Sequence, residues 1–244
     1  MSIDAGRAEY GKTIVSCLKS LNVTSLDIVL ATHPHGDHIG GLRAVITAFP
    51  VSRYIDSGSP STSTEYRDLR SVLNDKNIPI RTVRAGDTIP LDPALQIIVL
   101  NPPSKLYDAV NDNSLVLRMS YGNLSFLLMG DTGVAAEAGM IASNITLKSD
   151  IVKVGHHGLG TSTSDAFVVN VLPKTAVISL ASSDRSDHPD RHVLQRLEHV
   201  GSRIYRTDID GTVTIISDGT NFRVVTERTM TQKTVVIPVP AVTA

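Results

Sequence analysis

Three histidines and an aspartate stand within six positions in Thr32-His33-Pro34-His35-Gly36-Asp37-His38-Ile39-Gly40-Gly41. The apolar run Leu26-Asp27-Ile28-Val29-Leu30 leads directly into them. Imidazole nitrogen and carboxylate oxygen are the protein ligands that zinc-like and manganese-like ions take. So dense a polar cluster cannot all be packed into a core. At the exit of a buried strand it converges on one spot instead. His33 and His35, two apart on an extended segment, point the same way and suit one ion. The glycine before Asp37 lets the chain fold back, so that Asp37 and His38 face a second ion. Two ions about 3.5–4 Å apart can hold a bridging hydroxide whose pKa falls toward ~7, a nucleophile for hydrolysis at neutral pH.

Other strand exits offer partners for this cluster. The apolar strand Ser125-Phe126-Leu127-Leu128-Met129 runs into Gly130-Asp131, which makes Asp131 the candidate bridging carboxylate. A Gly-Asp after a strand is by itself an ordinary turn, so Asp131 draws its weight from the cluster. His188, before Pro189 at a similar exit, is the candidate further ligand of the second ion; alone it would read as a loop residue. His156-His157 closes the strand Asp150–Val154. Adjacent residues on an extended chain point to opposite faces, so only one of these histidines is expected to look at the metals. The metal ligands expected are therefore His33, His35, Asp37, His38, Asp131 and His188. Catalytic roles fall to Asp37, Asp131 and His157; His156, His157 and Lys153 are expected in the substrate pocket. Lys153, Arg185 and Arg206, near the motifs, are candidates to hold phosphates. His192 and His199 lie in a helical pattern and read as surface or packing residues.

The elements that must position these groups alternate between helix and strand. After Gly6 an amphipathic helix is expected over 7–21, stopped at Asn22. A strand at Leu26–Ala31 feeds the histidine motif, and a second helix runs from Leu42 to Phe49 until Pro50 ends it. Strands follow at Val51–Ile55, Ile80–Val83 and Leu95–Leu100, with a helix from about Glu65 to Asn74. The polar stretch 57–64 reads either as a mobile flap or as a plain connection. Asn111–Tyr121 and Leu124–Met129 are expected to pair as a hairpin around Gly122-Asn123. Helices are expected at Ala135–Ser143, Asp165–Val171 (capped by Ser162 or Ser164) and His192–Val200. The remaining strands are Thr175–Leu180, Ser202–Arg206, Gly211–Ser217 and Phe222–Glu227. The domain is expected to span 1–230, with an apolar, Pro-containing tail at 231–244.

Composition sets the outer limits. At 41% apolar and 19% charged residues the 244-residue chain is globular rather than disordered. A net charge of −1 argues against a strongly basic nucleic-acid binder and leaves room for a local basic groove. Cys17 is the single cysteine, so no internal disulfide forms; set among Ile14, Val15 and Leu18, it is expected to be a buried small hydrophobe. The sequence shows no signal peptide and no membrane-spanning segment, and the protein is expected to be soluble and cytoplasmic.

The residues described so far resemble the metallo-β-lactamase superfamily, whose signature is His-x-His-x-Asp-His. The similarity is greatest to the hydrolase domain of the ComEC competence family. The matching pieces are Ile3-Asp4-Ala5-Gly6, His33 to Gly41, Asn111 to Leu117, Gly130-Asp131, Asp150 to Gly158, His188-Pro189, and Tyr205-Arg206-Thr207-Asp208 with Gly211. They follow the family's order through nearly the whole chain. The resemblance implies an α/β fold, a four-layer αββα sandwich, with metals at one edge of paired sheets. It implies two divalent ions, Mn²⁺ or Zn²⁺, and hydrolysis of a phosphodiester in DNA. The resemblance leads us to expect that this chain lacks the two strands that usually precede the Asp4 motif, as either a truncated domain or a fold whose sheet a homo-oligomer or a partner segment completes. Where many superfamily members carry a further histidine ligand, Asn113-Ser114 stands here; both are expected at the substrate, and an Asn oxygen would favour a harder ion. Leu159 replaces the usual Ser after His-His-Gly, and Asp187 replaces the usual Gly before His188. Two other readings stay open: a two-metal hydrolase of a small ester, lactone or thioester, and a non-catalytic binding module that keeps the fold.

Overall fold

The computed structural model describes residues 1–181 and 188–228. Arg185, Asp187 and the tail at 231–244 lie outside the described residues. Two compact units interleave along the chain: Met1–Asp87 with Asn101–Leu115, and Thr88–Leu100 with the described residues from Val116 onward.

The first unit holds β1 (Ser2–Ile3), α1 (Gly11–Ser20), β2 (Leu26–Leu30), α2 (Gly36–Ile39), α3 (Leu42–Ala48), β3 (Val51–Asp56), α4 (Thr64–Asp75) and β4 (Ile80–Thr82). Its strands form one parallel sheet in the order β1-β2-β3-β4, with Ile3 opposite Leu30 and Leu30 opposite Ile55. Every residue of β2 except Asp27 is buried, as a strand covered on both faces requires. Val29, Leu42, Val45, Ile46, Leu69 and Leu73 make its core. On α1, Ile14, Val15 and Leu18 pack against that core. Cys17 falls off that face and is exposed, so the expectation that it is buried does not hold. The Ser63 hydroxyl caps α4 by accepting from Tyr66 N at 3.2 Å.

The second unit holds β5 (Leu95–Asn101) up to Leu100, β6 (Val116–Tyr121), β7 (Leu124–Leu128), α5 (Val134–Ala142), β8 (Ile151–Lys153), α6 (Asp165–Val171), β9 (Thr175–Ile178), α7 (Arg191–His199), β10 (Arg203–Arg206), α8 (Thr207–Asp210), β11 (Val213–Ser217) and β12 (Phe222–Thr226). A six-stranded sheet runs β10-β9-β8-β7-β6-β5. Strands β7 to β10 are parallel, and the β6–β7 hairpin is antiparallel around Gly122-Asn123 as expected. Leu127, Val152, Ala176 and Ile178 meet Phe167, Val168, Val193 and Leu197 of α6 and α7 in its core. Of the two serines offered as caps for α6, Ser164 does so, accepting from Phe167 N at 3.3 Å. The separate β11–β12 ribbon packs Phe222 against Leu124 and Ile151.

The α/β class expected from the sequence holds. One boundary moves: Asn111–Asn113 is a tight helical turn, and β6 begins only at Val116. Asn and Asp side chains bond nearby backbone and so compete with strand pairing, and this stretch carries three of them in a row. Among the described residues no helix is long and apolar enough to cross a membrane.

Candidate metal centre

In the first unit the candidate ligands gather where β2 ends. The N-terminal segment is fastened across this exit: Asp4 N–H donates to Leu30 O at 2.9 Å, Ala5 N–H to His38 O at 2.8 Å, and Gly41 N–H to Gly6 O at 2.9 Å. Gly41 has no room for a side chain, since a Cβ there would stand 2.1 Å from Ala5 O. This close crossing brings Asp4 beneath the histidines. Its Oδ1 accepts from Thr32 N–H at 2.8 Å, and its Oδ2 accepts from Thr32 Oγ1 at 2.8 Å and from His38 Nδ1 at 2.7 Å. Burial by itself would raise the Asp4 carboxyl, but His38 and Thr32 outweigh it and hold the group below its ordinary value. A charged Asp4 keeps the proton of His38 on Nδ1, so the ring presents Nε2 as its lone-pair nitrogen. The Thr32 hydroxyl, which gives its hydrogen to Asp4, lies 3.1 Å from His33 Nδ1 and accepts from it. His33 therefore also presents Nε2.

His33 Nε2 lies 3.0 Å from His35 Nδ1, with the two rings edge to face at 80°. Two nitrogens bound to one ion at about 2.0–2.1 Å are separated by roughly 2.8–3.4 Å at octahedral to tetrahedral angles. The His33–His35 separation of 3.0 Å falls in that range. His33 and His38 are buried at 1% and 3% exposure, whereas Asp37 is exposed at the start of α2. Asp37 and His38 bring ligand atoms within 4.8 Å of each other.

The segment around Asn113 supports the motif from outside. Leu115 N–H donates to Thr32 O at 2.9 Å, and Asn101 Nδ2 donates to Ser114 O at 2.8 Å. The Asn113 side chain is turned into its own loop. Its Oδ1 accepts from Tyr107 N–H at 2.8 Å, and its Nδ2 donates to Tyr107 O at 2.8 Å and Ala109 O at 3.2 Å. Both amide hydrogens and one lone pair of the carbonyl are taken up by backbone, so the Asn113 side chain clamps its own loop, whereas the sequence led us to expect it at the substrate. The 57–63 stretch is a pinned connection: Asp56 Oδ1 accepts from Gly58 N–H at 2.9 Å and Arg84 donates to Ser57 O at 2.7 Å.

In the second unit the candidate ligands gather at the exits of β7 and β8. Asp131, 2% exposed, follows Gly130 at the end of the apolar strand as predicted. His156 N–H donates to Gly130 O at 3.1 Å, so the two strand exits are tied together. His156 and His157 both adopt left-handed backbone, with φ of 47° and 54°. That turn cancels the alternation of an extended chain. Both rings face Asp131 Oδ2, His157 Nε2 at 3.6 Å and His156 Nε2 at 3.9 Å, where the sequence led us to expect opposite faces. His157 Nδ1–H donates to Ser179 O at 2.7 Å, which again leaves Nε2 as the lone-pair nitrogen. His157 therefore has the geometry of a metal ligand, a role that spacing alone did not show. The role of Asp4 was missed in the same way: the motif Ile3-Asp4-Ala5-Gly6 stood out, but nothing in it pointed to His38.

His188 immediately precedes Pro189, whose ring lies against Gly158 closely enough that a Cβ on that glycine would be 2.8 Å from Pro189 Cβ. Asp190 N–H donates to Gly158 O at 2.9 Å, so residues 188–190 run beside the turn that carries His157. Lys153 closes β8, two residues before the same turn begins. Arg206 is engaged by its own chain. Its Nε and Nη2 form a fork on Asp208, at 3.1 Å to Oδ1 and 2.6 Å to Oδ2, which takes up the face that a phosphate would need. The same fork holds the Asp208 carboxyl below its ordinary value.

A family model described as the Metallo-beta-lactamase superfamily matches residues 3–182. ComE operon protein 3 of Bacillus subtilis (strain 168) is 33% identical over 203 residues, 83% of this chain and 26% of its own length. Recombination protein 2 of Haemophilus influenzae is 27% identical over 190 residues, 78% of this chain and 22% of its own length. The chain thus spans about a quarter of these curated relatives. The solved structure of Tm1679, described as a metal-dependent hydrolase of the beta-lactamase superfamily, shares the fold with a TM-score of 0.51 at 14% identity, over 84% of each chain. The histidine motif, the Gly-Asp exit and the His-His turn all fall inside the matched range. This chain belongs to the metallo-beta-lactamase superfamily of metal-dependent hydrolases.

Proposed function

We propose that the chain is a metal-dependent phosphodiesterase that cleaves DNA. His33, His35, Asp37 and His38 would be metal ligands, as would Asp131, His157 and His188, and the chain would take divalent ions, Mn²⁺ or Zn²⁺. When bound, such ions activate water and stabilise charge that develops on a phosphoryl oxygen. The chain's own residues do the positioning. Asp4 and the Ser179 carbonyl fix the tautomers of His38 and His157, so that each ring presents Nε2. His156, half-buried beside Asp131, would donate to a substrate oxygen or a leaving group.

One observation carries the metal reading. Three separate histidines, His33, His38 and His157, have Nδ1 held by an oxygen and Nε2 turned the other way. A core histidine has no need of that repeated polarity. The DNA part of the reading rests on the motif order shared with ComEC-like proteins and on the similarity to ComE operon protein 3 and Recombination protein 2.

The test is cleavage of single- and double-stranded DNA and of a bis-nitrophenyl phosphate by metal-loaded protein, beside H35A and D131N. The expected result is hydrolysis by the parent and none by either variant. Turnover of a lactone or thioester panel, with DNA and the phosphodiester untouched, would replace this substrate with a small ester. Near-parent activity in both variants would remove the site assignment.

A further inference from the structure

We infer that Glu137 is a positioning residue for the Asp131–His157 pair, acting through the loop 155–164. The inference rests on the reading that this pair holds metal.

Glu137 lies on α5, six residues beyond Asp131, and is fully buried at 0% exposure. A buried carboxylate is costly unless several donors satisfy it. Here Thr163 N–H and Ser164 N–H both donate to it, one to each oxygen. The nearby Arg196 donates to Thr163 O at 3.3 Å and pairs with Asp165 at 3.1 Å. Burial pushes the Glu137 carboxyl upward, and these donors only partly offset it. The helix start does not require this arrangement, because Ser164 already caps α6 with its own hydroxyl.

What the carboxylate does is close a zip. Segment 130–137 and loop 155–164 are joined at three points. His156 N–H donates to Gly130 O, Val134 N–H donates to Thr161 O at 3.0 Å, and Glu137 takes Thr163 and Ser164. Between the last two points and the histidines the loop is cross-braced. Ser162 Oγ lies 3.0 Å from Gly155 O and 3.0 Å from Leu159 O. Asp131 and His157 face each other at the open end of this zip. His156 and His157 both hold left-handed backbone, which persists in non-glycine residues only where the surroundings over-determine it. Glu137 is the side-chain member of the three fastenings and therefore the one a substitution can remove.

The experiment compares full-length parent, E137A, E137Q, F222A and D131N. F222A serves as a control that loosens the β11–β12 packing of the same unit without touching the zip. Calorimetric titration with Mn²⁺ or Zn²⁺ gives the affinity, and ¹⁵N NMR of His157 in metal-free protein reports its Nδ1–H bond to Ser179. We expect E137A to lower affinity about 10–100-fold, the range seen when supports of metal ligands are lost. The His157 signal should shift, while E137Q, which keeps one acceptor oxygen, recovers most of both. Should E137A not fold, the same two readouts on E137Q, intermediate between parent and D131N, carry the test. An E137A protein that loses no more affinity than F222A, with His157 unshifted, overturns the inference. If D131N leaves affinity unchanged, it is the metal reading that fails, and the inference falls with it.

Discussion

Asp4 Oδ2 and His38 Nδ1 stand 2.7 Å apart, across 34 positions of chain. The bond sets which nitrogen of His38 faces outward, so Asp4 governs a ligand it does not replace. Replacing it with Asn keeps the volume but withdraws the charge that holds the His38 proton on Nδ1. We expect D4N to lower metal affinity about 10–100-fold with the fold retained. Titration with Mn²⁺ or Zn²⁺ checks this, and parent-like affinity would show that His38 is oriented by something else.

His156 and His157 are neighbours with different predicted consequences. His157 is anchored to Ser179 O, presents Nε2 and stands 3.6 Å from Asp131 Oδ2, whereas His156 Nε2 stands farther off at 3.9 Å. H157A should lose bound metal, measured by elemental analysis after dialysis. H156A should keep metal and lose turnover. Equal metal loss in both would mean that the pair acts as one ligand set.

The buried Asn113 side chain makes three hydrogen bonds to the backbone of its own loop. N113A leaves those backbone groups without it, at a cost of about 1–3 kcal/mol. Thermal unfolding should show the loss. KM for a phosphodiester substrate should stay within about twofold, which separates a clamp from a substrate contact.

Acid should expose the Arg206–Asp208 fork. Asp208 titrates below its ordinary value of 3.8 in the folded chain, so its contribution is complete above that pH and disappears as pH falls through the lowered folded value. For this partly exposed but bidentate pair the contribution is about 1 kcal/mol. R206Q should therefore melt below the parent near neutral pH, and the gap should close in acid. A gap of constant size from neutral to strongly acidic pH would contradict the assignment.

Gly41 is predicted to resist substitution for a steric reason. Its missing Cβ lies in the space of Ala5 O, a backbone atom that cannot swing away. G41A should cost about 1–3 kcal/mol, or more if the N-terminal segment detaches. Detachment would also uncouple Asp4 from His38, so a melting scan and a metal titration should worsen together.

Much of this was legible in the sequence because it was periodic. The run Leu26 to Leu30 announced a strand buried on both faces, and Leu42, Val45 and Ile46 announced the helix after it. The histidine cluster could be read because its residue types have few other uses at that density. Cys17 was misplaced because helical spacing alone does not say how wide the buried stripe is. The His156-His157 geometry was hidden for a backbone reason: side-chain alternation holds only while the chain stays extended, and two successive left-handed residues undo it. Asp4, Asn113 and Glu137 were opaque for a third reason. Each acts through hydrogen bonds to groups fixed only by the finished fold, and Glu137 carries no motif at all.

The bond from Leu115 N–H to Thr32 O has a bearing on how the chain is made. The unit that owns the histidine motif also owns residues 101–115, while 88–100 belong to the other. Synthesis adds about 5–20 residues per second, so the motif emerges several seconds before the strap that braces it. During that interval His33 and His35 are already present in an unfinished pocket. A nascent chain halted before Leu115 would meet metal with its ligands in place and their outer brace missing.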